Sequence, residues 1–401
     1  MVSHVYIHFP FCLNKCPYCS FYSETFEIDK KDKYLTSLHK EIDFYLNKYD
    51  IVPETIYFGG GTPSLLKPEE VFVILNRFGS VGETLATARD ETGRCKPYPY
   101  DVSRDFKSKN HQEITLETNP ATVNIVDLKI FKEAGINRIS LGVQSMNDSD
   151  LRTLGRRHKI EDVNILFNQG MTAIFDNISI DIMYGLPAMG NPDNTKPIGD
   201  LHYDMSHFNK ILSLCNHVSI YCLTLEENVP LYKFHQQLPD DDTLADMYFS
   251  IRDYLLERGY EQYELSNFAK DGLISIHNNS YWSAKNYIGF GAGASGFVDN
   301  IRYTNNKLDK YLQNDFIGET INLSTDDLEK EYIITGLRKT EGISLVDFEK
   351  RFNLSFLEKY AKKINKLLDL NLIEVYINDS KYIKITPQSY FIINEVLCEF
   401  L

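Results

Sequence analysis

Short apolar runs alternate with amphipathic stretches along the first half of the chain. Residues 5–9, 55–58 and 113–117 have the length and composition of buried strands, whereas residues 30–47 place apolar side chains at helical spacing. Further strands are predicted at 138–143, 177–183 and 217–225, and further helices from Pro68 and at 124–134, 160–168, 200–214 and 240–257. Six strands alternating with helices predict an α/β fold with a parallel sheet. Because a closed barrel needs eight strand–helix units, the six predicted here are compatible with either an open barrel or a doubly wound sheet.

The pattern changes in two other parts of the chain. Residues 79–112 mix Gly, Pro and charged residues without an apolar period, so we expect an inserted loop there. A further strand is predicted at 260–267, and from about Ser324 the pattern predicts helices at 326–337, 345–352 and 357–368 before a hairpin of 373–377 and 382–385. Helices followed by a hairpin resemble a winged-helix unit. We therefore predict a core domain at 1–230, a connecting segment at 231–305 and a mostly helical domain at 306–401.

Composition and charge narrow the class of protein. The 401-residue chain is 43% hydrophobic with a mean hydropathy of -0.30, and no apolar run is long enough to cross a bilayer. A net charge of -14 opposes binding to phosphate backbones, so we predict no nucleic-acid partner. The first predicted strand begins at about residue 4, which leaves no room for a targeting peptide, and the seven cysteines lack disulfide-like spacing. We therefore expect a cytoplasmic protein.

The strongest chemical signal is a group of three cysteines directly after the first predicted strand. Cys12, Cys16 and Cys19 lie within eight residues, and Pro10 and Pro17 favour a loop over a helix. Three thiolates at this spacing can hold an iron–sulfur cluster whose remaining iron is free to bind a ligand. The alternatives are a structural zinc site, which normally has a second cysteine pair, and unpaired core thiols. The other cysteines are scattered: Cys95 lies in the predicted loop, and Cys215, Cys222 and Cys398 are predicted to be buried.

Polar or glycine residues also follow the other predicted strands. They are residues 59–61 after the second strand, Glu117 at the end of the third, Gln144 after the fourth and Asp181 within the fifth. Because the carboxyl ends of parallel strands lie at one edge of the sheet, we expect a single site there. The two acids could accept hydrogen bonds from ribose hydroxyls or an amino group. Alternatively they are buried acids paired with Arg138 or Arg156. Arg156 itself could bind a carboxylate bidentately, and the alternative for it is a surface ion pair.

Six motifs carry a resemblance to a known group of enzymes. They are YIHFPFC at 6–12, YFGGGTPS at 57–64, EITLETNP at 113–120, NRISLGVQS at 137–145, LGRRH at 154–158 and DIMYGLP at 181–187. Together they resemble the radical S-adenosylmethionine (radical SAM) enzymes and, within them, the oxygen-independent coproporphyrinogen III oxidase family. The resemblance runs from about residue 4 to the C-terminus except at 79–112. It implies an open six-unit (β/α)6 partial barrel with a C-terminal, mostly helical, winged-helix-like domain.

The resemblance also implies two cofactors. Cys12, Cys16 and Cys19 would hold a [4Fe–4S] cluster, and its open iron would chelate the amino and carboxylate groups of S-adenosylmethionine. The positions that match the family's contacts to that cofactor are Tyr6, Tyr18, Gly60, Gly61, Thr62, Glu117, Gln144, Arg156 and Asp181. In such a site an electron from the cluster can cleave the sulfonium of S-adenosylmethionine and form a 5′-deoxyadenosyl radical. This chemistry comes from the cofactors and not from protein side chains.

Three features favour the heme-chaperone branch of this family over the porphyrinogen-oxidising branch. Phe21 stands where the oxidase pattern has a fourth cysteine, and the chain lacks the oxidase's N-terminal extension before the first strand. Residues 277–282, HNNSYW, match the H-N-x-x-Y-W motif associated with heme binding. His277 is therefore the first candidate for a heme ligand, because imidazole commonly binds heme iron. The alternative is a histidine that fixes a loop beside Trp282.

These observations predict a heme chaperone that binds heme and delivers it to acceptor haemoproteins. Any membrane association would come through those acceptors, and the resemblance allows a homodimer. Two alternatives remain: an oxygen-independent coproporphyrinogen III oxidase, acting through a 5′-deoxyadenosyl radical, and another radical SAM enzyme. Whether the protein is an enzyme is therefore left open, although the fold and the cofactor site of one are expected.

Overall fold

The central sheet contains six parallel strands that neighbour one another in chain order. The computed structural model describes residues 1–80, 112–187, 205–378 and 380–401, with the backbone alone at 205–208, 378 and 380. The strands are β1 (Val2–Phe9), β2 (Ile51–Gly60), β3 (Glu113–Thr118), β4 (Arg138–Gln144), β5 (Asn177–Tyr184) and β6 (His217–Cys222). A doubly wound sheet reverses its strand order, whereas this one does not. The predicted α/β partial barrel is thus confirmed.

Helices cover the apolar outer face of this sheet. Alternate residues of β1, namely Val5, Ile7 and Phe9, are fully buried there. The helix Ile28–Lys48 buries Tyr34 and Leu38 on the same layer, and each such side chain stabilises the fold by roughly 1.5–3 kcal/mol. The other helices of this part of the chain are Pro68–Arg77, Ile125–Glu133, Asp148–Thr153, Ile160–Asn168, Met171–Ile174, Met205–Leu212 and Asp241–Leu256. The predicted helices are confirmed, except that residues 200–204 and nearly all of the predicted loop at 79–112 lie outside the described residues.

The inner faces of the six strands are polar. Their inward positions include His4, Tyr6, His8, Thr55, Tyr57, Thr115, Glu117, Arg138, Ser140, Ser179, Asp181, His217, Ser219 and Tyr221. Hydrogen bonds cross this interior, for example from the Ser140 hydroxyl to Asp181 at 3.2 Å. Closed eight-unit barrels are filled by branched apolar side chains instead. The partial barrel therefore encloses a polar hollow in which a polar ligand could be accommodated.

Short strands extend the sheet at both edges. Ile288–Phe290 pairs in parallel with β1, whereas Asn267–Ala269 pairs antiparallel with β6 and with Glu261–Gln262. The prediction of one strand over 260–267 is wrong. The chain turns within this stretch because the Glu264 carboxylate accepts a hydrogen bond from the amide of Ser266, at 3.2 Å, and another from the Asn267 side chain.

A three-stranded antiparallel sheet follows, which the sequence pattern did not predict. It consists of Ser295–Val298, Ile301–Asn305 and Ile317–Asn322. The first two strands meet at Asp299 and Asn300, whose φ angles are 53° and 65°. Two adjacent left-handed residues form the tight hairpin turn that Asp and Asn favour, so this dipeptide was the available signal. The domain boundary predicted at residue 306 falls within this sheet and stays a prediction.

The C-terminal part is mostly helical, as predicted. Its helices are Thr325–Gly336, Leu345–Phe352, Phe356–Lys359, Ala361–Asp369 and Ile393–Cys398, and its hairpin is Ile373–Asn378 with Ser380–Ile385, joined by Ile343–Ser344 as a third strand. Cys215 is buried as predicted and Cys222 is half-buried, but the prediction that Cys398 is buried is wrong, because it is exposed near the chain end. No helix in the described ranges has the length and apolarity needed to span a membrane.

Candidate cofactor site

The cysteine loop is fixed at both ends beside the carboxyl end of β1. The two-residue strands Phe11–Cys12 and Glu24–Thr25 pair in parallel, and the amide of Phe26 donates to the carbonyl of Cys12 at 2.9 Å. Within the loop, the amide of Cys19 donates to the carbonyl of Cys16 at 3.1 Å. Cys12, Cys16 and Cys19 are all half-exposed. The loop therefore presents three accessible thiols on one short, anchored segment.

The thiols face hydrogen-bond donors and one another. The Thr62 hydroxyl lies 3.5 Å from the Cys12 sulfur, and a guanidinium nitrogen of Arg156 lies 3.7 Å from the Cys16 sulfur. Burial raises the pKa of the Cys19 thiol, and the charges of the Cys16 and Cys12 thiolates raise it further. Bound iron would relieve this repulsion. Three soft sulfur donors fit an iron–sulfur cluster. In the described ranges, no group of three or more His, Cys, Asp or Glu side chains is placed to hold a single metal ion.

The glycine run at 59–61 lies directly against β1 and the cysteine loop. The amide of Gly61 donates to the carbonyl of Phe9 at 2.8 Å, and a Cβ on Gly61 would lie 2.6 Å from the carbonyl oxygen of Phe11. Gly60 has a φ of 109°, and a Cβ there would lie 2.6 Å from the His8 ring. Only glycine allows this close approach. The structure therefore brings the glycine run beside the cysteines, as the sequence predicted.

Glu117 projects into the polar hollow below this run. Its carboxylate accepts hydrogen bonds from the Tyr57 hydroxyl at 2.8 Å and from the amide of Gly60 at 3.2 Å. Burial raises the pKa of Glu117 from 4.5 to about 7, and the charge of Asp181 adds to the rise. Among the described residues no ion pair joins Glu117 to Arg138 or Arg156. Its carboxylate is thus poorly compensated, which suits a site that receives a cationic ligand.

Asp181 is held from the neighbouring strand. The Ser140 hydroxyl lies 3.2 and 3.3 Å from its two carboxylate oxygens. Burial raises the pKa of Asp181, whereas hydrogen bonds from Ser219 and Ser140 and the charge of Arg138 oppose the rise. Arg138 is itself buried, and its Nε has no hydrogen-bond partner among the described residues. The hollow thus holds two buried carboxylates together with the charge of Arg138.

Arg156 and Gln144 connect the cysteine loop to the end of β4. Arg156 donates to the carbonyl of Gly142 at 2.8 Å and to the side chain of Asn119, in addition to its contact with Cys16. Its geometry is that of a half-buried linking residue and not that of a surface ion pair. Gln144 ends β4 with a φ of 69°, where the strand register shifts. The side-chain nitrogens of Gln144 and Arg156 both lie beside Gly142, 2.9 and 3.2 Å from the position that a Cβ on this glycine would take.

The two predicted tyrosines lie on different sides of the site. Tyr6 lines the hollow, with its hydroxyl 2.9 Å from Nδ1 of His8 and its ring 6.2 Å from that of Tyr57. Tyr18 instead packs against a small apolar cluster, whose buried members are Leu154, Leu186, Leu223, Leu225, Val229 and Leu231. Burial raises the pKa of Tyr18. The structure thus brings Tyr6 into contact with the Glu117 side of the hollow and places Tyr18 beside the cysteines.

His277 lies apart from the cysteines, near the amino ends of the strands. It is the second residue of the helix Ile276–Trp282, whose first two amides donate to the Glu113 carboxylate at 2.9 Å. The His277 side chain is 1% exposed, with Nδ1 2.7 Å from the Thr55 hydroxyl and Nε2 2.7 Å from the Tyr281 hydroxyl. Burial lowers its pKa well below the ordinary value. Both nitrogens are occupied, so this conformation supports the structural alternative and gives no support to the predicted heme ligand.

Tyr57 is the residue of this site that the sequence did not indicate. Its hydroxyl donates to Glu117, and its ring stacks on His277 with centroids 5.0 Å apart. It thereby joins the Glu117 side of the hollow to the helix that carries His277. The available signal was its alternation with Thr55 and Gly59 on β2, which places all three side-chain positions on the inward face.

Comparisons with known proteins bear on this geometry. A family model of the radical SAM superfamily matches residues 6–188, and one of the HemN C-terminal domain matches residues 323–391. The chain is 33% identical to the Bacillus subtilis (strain 168) protein named heme chaperone HemW, over 99% of this chain and 98% of that one. It is also 33% identical to the Lactococcus lactis protein of the same name, over 99% and 96%. The solved structure of the coproporphyrinogen III oxidase HemN from Escherichia coli, a radical SAM enzyme, shares the fold with a TM-score of 0.77 at 20% identity, covering 100% of this chain and 90% of that chain.

Proposed function

Because the chain belongs to the HemW heme chaperone family of the radical SAM superfamily, we propose that it binds heme and delivers it to acceptor haemoproteins. The observation that carries this proposal is the similarity over 99% of the chain to relatives named heme chaperone HemW. The acceptors, any association with a membrane through them, a homodimer and a cytoplasmic location belong to the same proposal, as does the division into domains at 1–230, 231–305 and 306–401.

The cofactors of the proposed chaperone are a [4Fe–4S] cluster and S-adenosylmethionine. Cys12, Cys16 and Cys19 would hold the cluster, which supplies electrons and an open iron position when bound. The residues that would contact S-adenosylmethionine are Tyr6, Tyr18, Gly60, Gly61, Thr62, Glu117, Gln144, Arg156 and Asp181. The glycine run lets a ligand approach the backbone closely, because glycine has no Cβ. Glu117 and Asp181 can accept hydrogen bonds from hydroxyl or amino groups of that ligand. Geometry supports this set because its members surround one hollow and one loop.

Heme uptake tests the proposal directly. After anaerobic cluster reconstitution, titration with heme at micromolar concentrations should shift the Soret band, and apo-myoglobin added afterwards should gain heme from the complex. Absence of any Soret shift would exclude the chaperone function. The oxidase alternative predicts decarboxylated porphyrinogen in an anaerobic assay with reductant and S-adenosylmethionine. Phe21, in place of a fourth cysteine, argues against that outcome.

The affinity for S-adenosylmethionine should fall as the pH drops below 7. Glu117, with a pKa of about 7, must lose its proton before its carboxylate can receive a cationic or hydrogen-donating ligand. We therefore expect the dissociation constant, measured by calorimetry on reconstituted protein, to rise by up to about tenfold per pH unit below 7.

Glu117→Gln should weaken binding at pH 8 and flatten the pH profile. Glu54→Gln, on the exposed side of β2, serves as the control and should keep the wild-type profile. A wild-type constant that is equal at pH 6 and pH 8 would contradict the assignment.

A further inference from the structure

Two side chains from outside the cysteine loop donate hydrogen bonds to its thiols. The Thr62 hydroxyl lies 3.5 Å from the Cys12 sulfur, and Nη1 of Arg156 lies 3.7 Å from the Cys16 sulfur. Both residues also belong to the set that would contact S-adenosylmethionine. The structure therefore gives each of them a second kind of contact, with a cluster ligand itself, which the sequence motifs did not indicate.

Thr62 is held in place by the backbone on both sides. The residue is buried, and its carbonyl accepts a hydrogen bond from the amide of Leu65 at 3.0 Å. The residue before it, Gly61, donates to the carbonyl of Phe9 at 2.8 Å. Among the described residues, the Cys12 sulfur is the only hydrogen-bond partner of the Thr62 hydroxyl. Because a buried hydroxyl without a partner is costly, this contact fixes the direction of its hydrogen.

Arg156 is held against the loop from two directions. Its Nη2 donates to the carbonyl of Gly142 at 2.8 Å, while Nη1 faces the Cys16 sulfur. Gly155, the residue before it, has a φ of 65°, and a Cβ there would lie 2.5 Å from the ring of Pro17, which follows Cys16 directly. Only glycine allows this close approach. The segment that carries Arg156 is thus packed on the residue next to the thiol.

The third thiol has a backbone donor instead of a side-chain donor. Burial raises the pKa of the Cys19 thiol, and a hydrogen bond from the backbone of Phe21 opposes the rise. A backbone donor is independent of the side chain at its position. Side-chain donors in the described ranges therefore act on two of the three sulfurs, those of Cys12 and Cys16.

Donors at these sulfurs favour the reduced form of a bound cluster. Reduction adds one negative charge, and a hydroxyl or guanidinium aimed at a thiolate sulfur stabilises that charge. The chain's net charge of -14 acts in the opposite direction, so the local donors have a repulsion to offset. We propose, resting on the proposed function and its cofactors, that Thr62 and Arg156 raise the reduction potential of the [4Fe–4S] cluster by donating to the Cys12 and Cys16 thiolates.

This role changes what Thr62 can offer to S-adenosylmethionine. A hydroxyl has one hydrogen to donate, and once that hydrogen lies on sulfur Thr62 can only accept a hydrogen bond from the cofactor. Arg156 has five N–H groups, so it can contact the sulfur and a carboxylate at the same time. The reduction potential measured without S-adenosylmethionine therefore reports the contacts to sulfur alone.

A redox titration of the reconstituted protein without S-adenosylmethionine, followed by electron paramagnetic resonance, tests the proposal. At the potential where the wild type holds equal amounts of reduced and oxidised cluster, Thr62→Val should lower the reduced-to-oxidised ratio about tenfold, a shift of about 59 mV for a one-electron couple. Thr62→Ser keeps the hydroxyl and should stay within about threefold of the wild type. Arg156→Gln, which removes a charged donor, should lower the ratio by about tenfold or more.

Arg157→Gln is the matched control for Arg156→Gln. Arg157 is the next residue and is exposed, and in the described part of the chain it makes no contact with a thiol. The control loses the same charge near the loop, so its reduced-to-oxidised ratio should stay within about threefold of the wild type. A difference between the two variants then measures the contact with Cys16 and not the change in net charge.

The outcomes separate the donor role from the proposed function. If the wild type takes up no iron, the cofactor assignment itself fails. If the wild type holds the cluster, and Thr62→Val and Arg156→Gln hold it at the same potential, the donor role is wrong while the cluster stands. An equal shift in Arg157→Gln, or a shift that appears only after S-adenosylmethionine is added, would also overturn the proposal. Loss of iron in both variants would assign the two residues to cluster retention instead.

Discussion

Replacement of Cys16 by serine should leave the reconstituted protein without its [4Fe–4S] cluster. The wild type should take up about four irons per chain, whereas Cys16→Ser should retain almost none, because a neutral hydroxyl replaces a thiolate and only two ligands remain. The Arg156 guanidinium, which contacts the Cys16 sulfur, is a donor and cannot take the place of the lost ligand. Iron analysis and the electron paramagnetic resonance spectrum of the reduced protein measure this loss.

The matched control for this experiment is Cys398→Ser. Cys398 is exposed near the C-terminus, far along the chain from the loop, and its replacement should leave iron content unchanged. Circular dichroism should show the same melting profile for both variants before reconstitution, since the thiols are half-exposed and contribute little packing. Full iron uptake by Cys16→Ser would refute the assignment of the three cysteines as the cluster ligands.

The largest effect on stability should come from Glu41. This carboxylate is fully buried and accepts hydrogen bonds from the amide of Gly291 at 2.8 Å, the Asn305 side chain at 2.6 Å and the Tyr311 hydroxyl at 2.5 Å. Glu41→Leu would leave three buried donors without their acceptor. We expect it to lower the free energy of unfolding by roughly 3–5 kcal/mol, measured by urea denaturation. Glu133→Leu, at an exposed helix position, is the control and should change stability little.

The same residue should make stability depend on pH. Burial raises the pKa of Glu41 from 4.5 to about 7, even though its three hydrogen bonds act in the opposite direction. The folded protein therefore holds the proton more tightly than the unfolded chain. This contribution to stability is fully present below pH 4.5 and is lost as the pH rises to about 7. Glu41→Gln should remove that part of the pH dependence between pH 5 and pH 8. An identical slope in the variant would show that Glu41 titrates normally.

Local pattern and spacing were sufficient for much of the fold. Alternating apolar runs identified β1 to β6, and Asn124 and Asp240 cap helices near the predicted starts because their side chains accept amide hydrogen bonds. The thiols, the glycine run and Glu117 lie together because they follow neighbouring parallel strands. That convergence follows from strand order alone and needs no knowledge of side-chain contacts.

The rest depends on contacts between residues that are distant in sequence. The burial of His277 between Thr55 and Tyr281 could not be read from its motif, since Thr55 is 222 residues away. The hydrogen bond from Tyr57 to Glu117 likewise joins two strands. The wrong strand prediction over 260–267 has a local cause instead. The Glu264 carboxylate accepts a hydrogen bond from a nearby amide and the chain turns there, which the spacing of apolar residues does not reveal.

The pairing of Ile288–Phe290 with β1 bears on how the protein is made. Val5 pairs with Ile288, so the first strand gains its outer neighbour only after most of the polypeptide has left the ribosome. Glu41 gains its partners from Gly291, Asn305 and Tyr311 equally late. The segment that would receive iron is thus among the earliest synthesised and among the last to be secured. We therefore expect iron loading to follow the emergence of residues 288–311, with nascent chains truncated before residue 288 leaving the thiols less protected from oxidation.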